Sequence, residues 1–130
     1  MRVLRMKHLT VLIAFLMTFG SQVNAFDTAH LQKLKDTNDC IACDLRGADL
    51  NGADLSEAYL AYANLGAADL AGADLRGVDL DRANLVGANL KGADLAGTTL
   101  KGASLNGADL IGAMLCNTTM PDGSVIYRGC

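Results

Sequence analysis

Four cysteines, two histidines, a recurring series of aspartates and a close pair of tyrosines are the residues of this chain that could do chemistry. Cys40-Ile41-Ala42-Cys43 has the spacing of a thiol–disulfide exchange pair. Exchange needs a thiol of lowered pKa, commonly at a helix N-terminus. This pair follows a predicted helix instead of opening one. Haem attachment would need histidine directly after the second cysteine, and Asp44 stands there. His8 falls in an apolar leader, and His30 stands in the predicted helix with no matched partner, as a surface histidine would. The sequence holds no nucleophile–base pair, phosphate loop, HExxH motif or second CxxC motif. Nothing in it supports catalysis or a bound cofactor.

The elements that position these residues come from a repeat. Leucine recurs every fifth residue from Leu45 to Leu115, fifteen times in succession. A period of five fits neither a helix nor a strand. Alanine usually stands two places before the leucine, as at Ala48, Ala68, Ala88 and Ala108. Val78 and Thr98 depart from this, and Cys43 fills the slot in the first unit. Asp or Asn usually comes directly before the leucine, and Gly usually two places after it. Leucine and alanine suit a wound chain that buries one side. Asp and Asn can bond nearby backbone amides in turns, and glycine supplies backbone angles that other residues resist. An amphipathic helix is the rival for such an Ala- and Leu-rich text. It fails because five residues advance a helix by about 500°, which scatters the leucines around the cylinder.

The unit A-(D/N)-L-x-G from Cys43 to about Met120 resembles the pentapeptide-repeat proteins. The resemblance covers roughly 78 of the 130 residues. It implies an all-β solenoid: a right-handed quadrilateral β-helix with four units per coil and about four coils here. Residues 1–25 then read as a signal peptide, 26–39 as a helical cap, 40–120 as the repeat and 121–130 as a C-terminal cap. The capping helix is expected over Asp27–Lys35, with Phe26, Ala29, Leu31 and Leu34 over the open first coil. Pro121-Asp122-Gly123 is a turn signal, after which Ser124–Tyr127 can return as an edge segment.

On that fold, residues twenty apart stack, and the count places the cysteines. Cys43 and Cys116 lie roughly 17 Å apart along the axis at ~4.8 Å per coil. A disulfide needs Cα atoms within about 7 Å. Cross-pairing and a shared zinc site are therefore excluded, and the pairs Cys40–Cys43 and Cys116–Cys130 are expected as end staples. The count also lines up two acidic columns, Asp49/Asp69/Asp109 and Asp54/Asp74/Asp94. Some members of the family protect DNA gyrase by mimicking nucleic-acid charge. The alternative is that these carboxylates only satisfy turn amides. A calcium-binding role lacks the nonapeptide loops it would need.

Glu57-Ala58-Tyr59-Leu60-Ala61-Tyr62 breaks the smooth pattern, and Arg82 stacks twenty residues beyond Tyr62. Exposed tyrosines beside arginine suit a protein interface, so Glu57, Tyr59, Tyr62 and Arg82 form the candidate partner surface. The competing reading packs them against the capping helix. Positions directly after each leucine, such as Ala61 and Ile111, are expected to face solvent.

Met1–Ala25 carries Arg2, Arg5 and Lys7, then an apolar run over 9–19, then small residues before a cut after Ala25. This is the pattern of an export signal. Its run is short of the ~20 residues that span a membrane. Three of the eleven basic residues would leave with it and all fourteen acids would stay, which takes the net charge from −3 to −6. That charge disfavours nucleic acid and anionic membranes as partners. The sequence thus reads as an exported, non-enzymatic scaffold with an unidentified protein partner, periplasmic or secreted, needing no cofactor or metal. The alternatives are a thiol–disulfide protein using Cys40 and Cys43, and an acidic nucleic-acid mimic if the chain is not exported.

Overall fold

The computed structural model describes residues 26–130; the expected signal peptide lies outside the described residues. Thirteen parallel bridges run through the repeat, from Asp39–Tyr59 to Thr99–Thr119, and each joins residues twenty apart. Successive turns of the chain therefore stack in parallel, four five-residue units per turn.

One unit shows why these residue types recur. Take Ala73-Asp74-Leu75-Arg76-Gly77. The Ala73 N–H donates to the Leu70 carbonyl at 3.1 Å and closes the turn behind it. The Asp74 N–H donates to Ala53 of the preceding turn of chain at 2.9 Å. Leu75 and Gly77 donate forward, to Asp94 at 2.8 Å and Ala96 at 2.9 Å. The Arg76 N–H has no backbone acceptor and donates to Oδ1 of Asp74 at 3.1 Å. All five amides are satisfied, as buried backbone requires. The residue before most of the leucines is Asp or Asn because its side chain serves the amide two places on. Glycine is favoured two places after the leucine because the chain turns there with φ between +64° and +73°. That is the left-handed region, which side chains resist.

Leucine and the small residue two places earlier point inward. Every leucine from Leu45 to Leu100 is buried. One inward column is larger, with Val78, Thr98 and Thr118 in place of alanine. Both buried hydroxyls donate to carbonyls, Thr98 to Leu75 and Thr118 to Leu95. Burying a leucine contributes roughly 1.5–3 kcal/mol, against an ordering entropy of similar size.

Helix α1 (Thr28–Thr37) covers part of the N-terminal end. The Asp27 side chain caps it by accepting from Ala29 and His30, and Asn38 ends it at φ 58°. Leu34 is buried against the first turn of chain, and Phe26 and Leu31 are half-buried there. Ala29 is exposed, contrary to the sequence expectation. It lies two positions before Leu31, which turns it by about 200° to the opposite face. The Asp27 N–H donates to the Asp44 carbonyl, and the Asn38 side chain donates to the Ser56 carbonyl at 2.8 Å.

At the other end, β1 (Leu115–Thr119) pairs antiparallel with β2 (Val125–Arg128). The turn between them is closed by the Met120 amide on the Ser124 carbonyl and the Gly123 amide on the Met120 carbonyl. The returning segment thus covers β1 as an added edge strand. Disulfides close both ends: Cys40–Cys43 with Cα atoms 5.2 Å apart, and Cys116–Cys130 with 5.0 Å.

Candidate functional site

The turn position two places after the leucine is where the site is built. Within the repeat, residues other than glycine adopt positive φ at Ala42, Glu57, Tyr62, Ala67, Arg82 and Asn117. A non-glycine residue in this region costs about 1–3 kcal/mol, and such strain gathers at functional positions. The three largest of these side chains, Glu57, Tyr62 and Arg82, fall on two adjacent turns of chain. Each leans over the turn below. Arg82 Nη1 donates to Tyr62 Oη at 3.0 Å, and its guanidinium carbon lies 5.6 Å from the Tyr62 ring centre. The Arg82 stem in turn covers Gly102, where an added Cβ would meet Arg82 Cγ at 3.0 Å. The Glu57 carboxylate lies over Gly77, where an added Cβ would sit 3.2 Å from Oε1.

Tyr59 and Tyr62 bracket one wall and are 58% and 55% exposed. Helix α1 does not cover them, so the reading that packs them against the cap does not hold. Ile41, one turn above Ala61, is 51% exposed. Ala61 is itself buried, contrary to its expected place in solvent. Large neighbours can shelter so short a side chain. The result is an open apolar surface of Ile41, Tyr59 and Tyr62, bordered by Glu57 and Arg82.

The acidic columns are occupied by turn chemistry. Asp49, Asp69 and Asp109 each accept the amide two residues on, and so do Asp54, Asp74 and Asp94. Cations and amides also interrupt the columns. Arg76 forks onto Asp74, Lys91 lies 3.3 Å from Asp109, and the Asn89 side chain donates to Asp69 at 3.1 Å.

Several of these carboxyls are held below the usual carboxylate range. Side-chain hydrogen bonds dominate at Asp44 (from Arg46), Asp54 (from Ser56), Asp74 (from Arg76) and Asp122 (from Ser124). The backbone N–H of Ile111 dominates at Asp109. A depressed folded pKa stabilises the fold above the unfolded value of about 3.9 and is lost as pH falls through the folded values. The melting temperature is therefore expected to hold from about pH 7 to pH 5 and to decline below about pH 4. Thermal melts across that range check it.

His30 is not the isolated surface histidine expected from sequence. It is half-buried, and its Nδ1 accepts the Asp44 N–H at 3.0 Å. No sequence signal marks this, because the partner is a backbone amide. Cys40 and Cys43 are 0% and 3% exposed, which shields their sulfurs from an attacking thiolate. Among the described residues no three His, Cys, Asp or Glu side chains gather as a metal site.

The pentapeptide repeats profile matches residues 39–77 and 83–120, in eight copies. The chain belongs to the pentapeptide-repeat family. Membership carries a right-handed quadrilateral β-helix, and the family's proteins are generally non-enzymatic structural proteins. A pentapeptide repeat protein from Nostoc Pcc 7120 is 32% identical, with a TM-score of 0.69 over 85% of this chain and 92% of that one. A pentapeptide repeat protein from the Arabidopsis thaliana thylakoid lumen is 40% identical, with a TM-score of 0.57 over 59% of this chain and 54% of that one. No curated protein matches the chain.

Proposed function

We propose that this pentapeptide-repeat protein is an exported, non-enzymatic scaffold of about four coils that holds a protein partner on Glu57, Tyr59, Tyr62 and Arg82. The observation that carries the reading is the strained corner. Glu57, Tyr62 and Arg82 occupy turn positions that glycine fills in most other units, and their side chains stand in solvent. Tyrosine and arginine are the residues that most often anchor interfaces. Export is supported by the leader pattern of residues 1–25 and by two disulfides, which persist in oxidising compartments. The thiol-exchange alternative is disfavoured because both sulfurs of Cys40–Cys43 are shielded. The acidic-mimic alternative is disfavoured because the carboxylates are engaged by turn amides and cations.

Affinity capture from a cell-envelope extract tests the reading, with the Tyr59→Ala/Tyr62→Ala variant as control. The variant is expected to lose only about 1 kcal/mol of stability, the scale of an exposed cation–π contact. It should lose its captured partner by tenfold or more, since anchor truncation costs about 2 kcal/mol or more of binding. The protein isolated from cells should begin at Phe26. An unchanged capture by the double variant would remove the tyrosine surface from the account.

A further inference from the structure

The two disulfides sit in unlike surroundings. Cys40 and Cys43 are both buried, whereas Cys130 is exposed and Cys116 half-buried. The chain on the two sides of Cys116–Cys130 is also held unequally. Strand β1 is wound into the repeat. The Gly97 N–H donates to the Cys116 carbonyl at 2.9 Å, the Leu100 N–H to Thr119 at 2.8 Å, and the Thr119 N–H to Thr98 at 2.9 Å. Leu115 and Thr118 of the same strand are buried. Strand β2 has no such hold. Among the described residues its only partner strand is β1. Val125, Tyr127 and Arg128 are exposed, and only Ile126 packs partly against the core. Beyond β2, Gly129 turns the chain at φ 83°, close against Met114, and brings Cys130 back to Cys116. A two-stranded hairpin with so little apolar cover is marginal in water by itself. The covalent bond is therefore what keeps β2 in place.

We propose that Cys116–Cys130 is a reversible thiol–disulfide site whose substrate is a dithiol, and that its reduction undocks the C-terminal strand. A thiolate of the incoming dithiol attacks Sγ of Cys130, the exposed end of the bond. A mixed disulfide forms there, the Cys116–Cys130 bond breaks, and Cys116 leaves as a thiolate that takes a proton from water. The second thiol of the reductant loses its proton and attacks its own sulfur in the mixed disulfide. Cys130 then leaves as the second thiolate and is protonated in turn. Two electrons have passed from the dithiol to the cystine, and the reductant departs as a disulfide. An oxidised disulfide reverses each step, because β1 keeps Cys116 in place while the tethered end returns. The Cys-Ile-Ala-Cys pair has the spacing of an exchange motif, yet its burial makes it the inert one. In the closed form β2 masks the outer edge of β1, and natural sheets cover such edges against stray pairing. Reduction uncovers that edge and oxidation covers it again. The site is independent of the tyrosine surface.

A time course of the oxidised protein in dithiothreitol, read by alkylation, mass spectrometry and amide exchange, tests the proposal. Cys116 and Cys130 should be reduced at least about tenfold faster than Cys40 and Cys43, because access governs the attack. Once only that pair is open, the amides of residues 125–128 should exchange at least about tenfold faster than before, as a locally released segment does. Those of Leu70, Leu75 and Leu80 should keep their rates. Oxidised glutathione should then restore both the bond and the protection. The Cys116→Ser/Cys130→Ser variant should show the fast exchange at 125–128 without reductant, and the wild-type circular dichroism of the repeat. Reduction of Cys40–Cys43 as fast as Cys116–Cys130 overturns the proposal. So does a reduced protein in which β2 stays protected, one whose whole repeat unfolds, or a pair that does not close again.

Discussion

Replacing Leu80 with alanine is expected to cost about 2–5 kcal/mol, the range for truncating a buried leucine whose surroundings cannot collapse. Leu80 is fully buried in the middle of the core, and its backbone is pinned on both sides. Its N–H donates to Thr99 at 2.9 Å, and its carbonyl receives the Ala83 amide. Neighbouring turns of chain cannot close the void without losing ladder bonds. For a domain of this size a loss of ~3 kcal/mol lowers the melting temperature by roughly 10–20 °C. Leu110→Ala, at the open end, should cost less than half as much, because Leu110 is only partly buried. Chemical denaturation of the two variants side by side checks the ranking. Equal losses would mean that burial does not grade along the chain as the structure has it.

The second large effect belongs to the C-terminal staple. Cys116–Cys130 closes a loop across a separation of 14 residues. On the chain-entropy account such a loop contributes about 3 kcal/mol. The Cys116→Ser/Cys130→Ser variant should lose about that much and release β2 from β1. The Cys40–Cys43 pair closes a much shorter loop and should contribute roughly 2 kcal/mol on the same account. Accessibility orders the two under reductant. Cys130 is exposed, whereas Cys40 and Cys43 are buried. Mild reduction followed by alkylation and mass spectrometry should therefore label Cys116 and Cys130 first. Labelling of Cys40 and Cys43 first would show that the N-terminal pair is open, and would revive the thiol-exchange reading.

The repeat was legible because each position of the unit answers a local demand. Leucine marks the inward wall, Asp or Asn the amide it must serve, and glycine the left-handed corner. Residues twenty apart could then be stacked by counting, which paired the cysteines correctly and placed Arg82 below Tyr62. Other features depend on how the ends pack, and periodicity says nothing of that. The exposure of Ala29 follows from the direction in which α1 settles. The role of His30 depends on the Asp44 amide arriving beside it. The burial of Ala61 depends on its larger neighbours. The openness of Tyr59 and Tyr62 required knowing that α1 leaves that wall uncovered.

The stacking of residues twenty apart underlies each of these conclusions, from the cysteine staples to the partner surface. Scalar couplings across hydrogen bonds measure it directly, because they report which amide donates to which carbonyl. The amides of Leu70, Leu75 and Leu80 are predicted to couple to the carbonyls of Asn89, Asp94 and Thr99. Couplings to carbonyls at any other spacing, or to those four residues earlier as in a helix, would contradict the account.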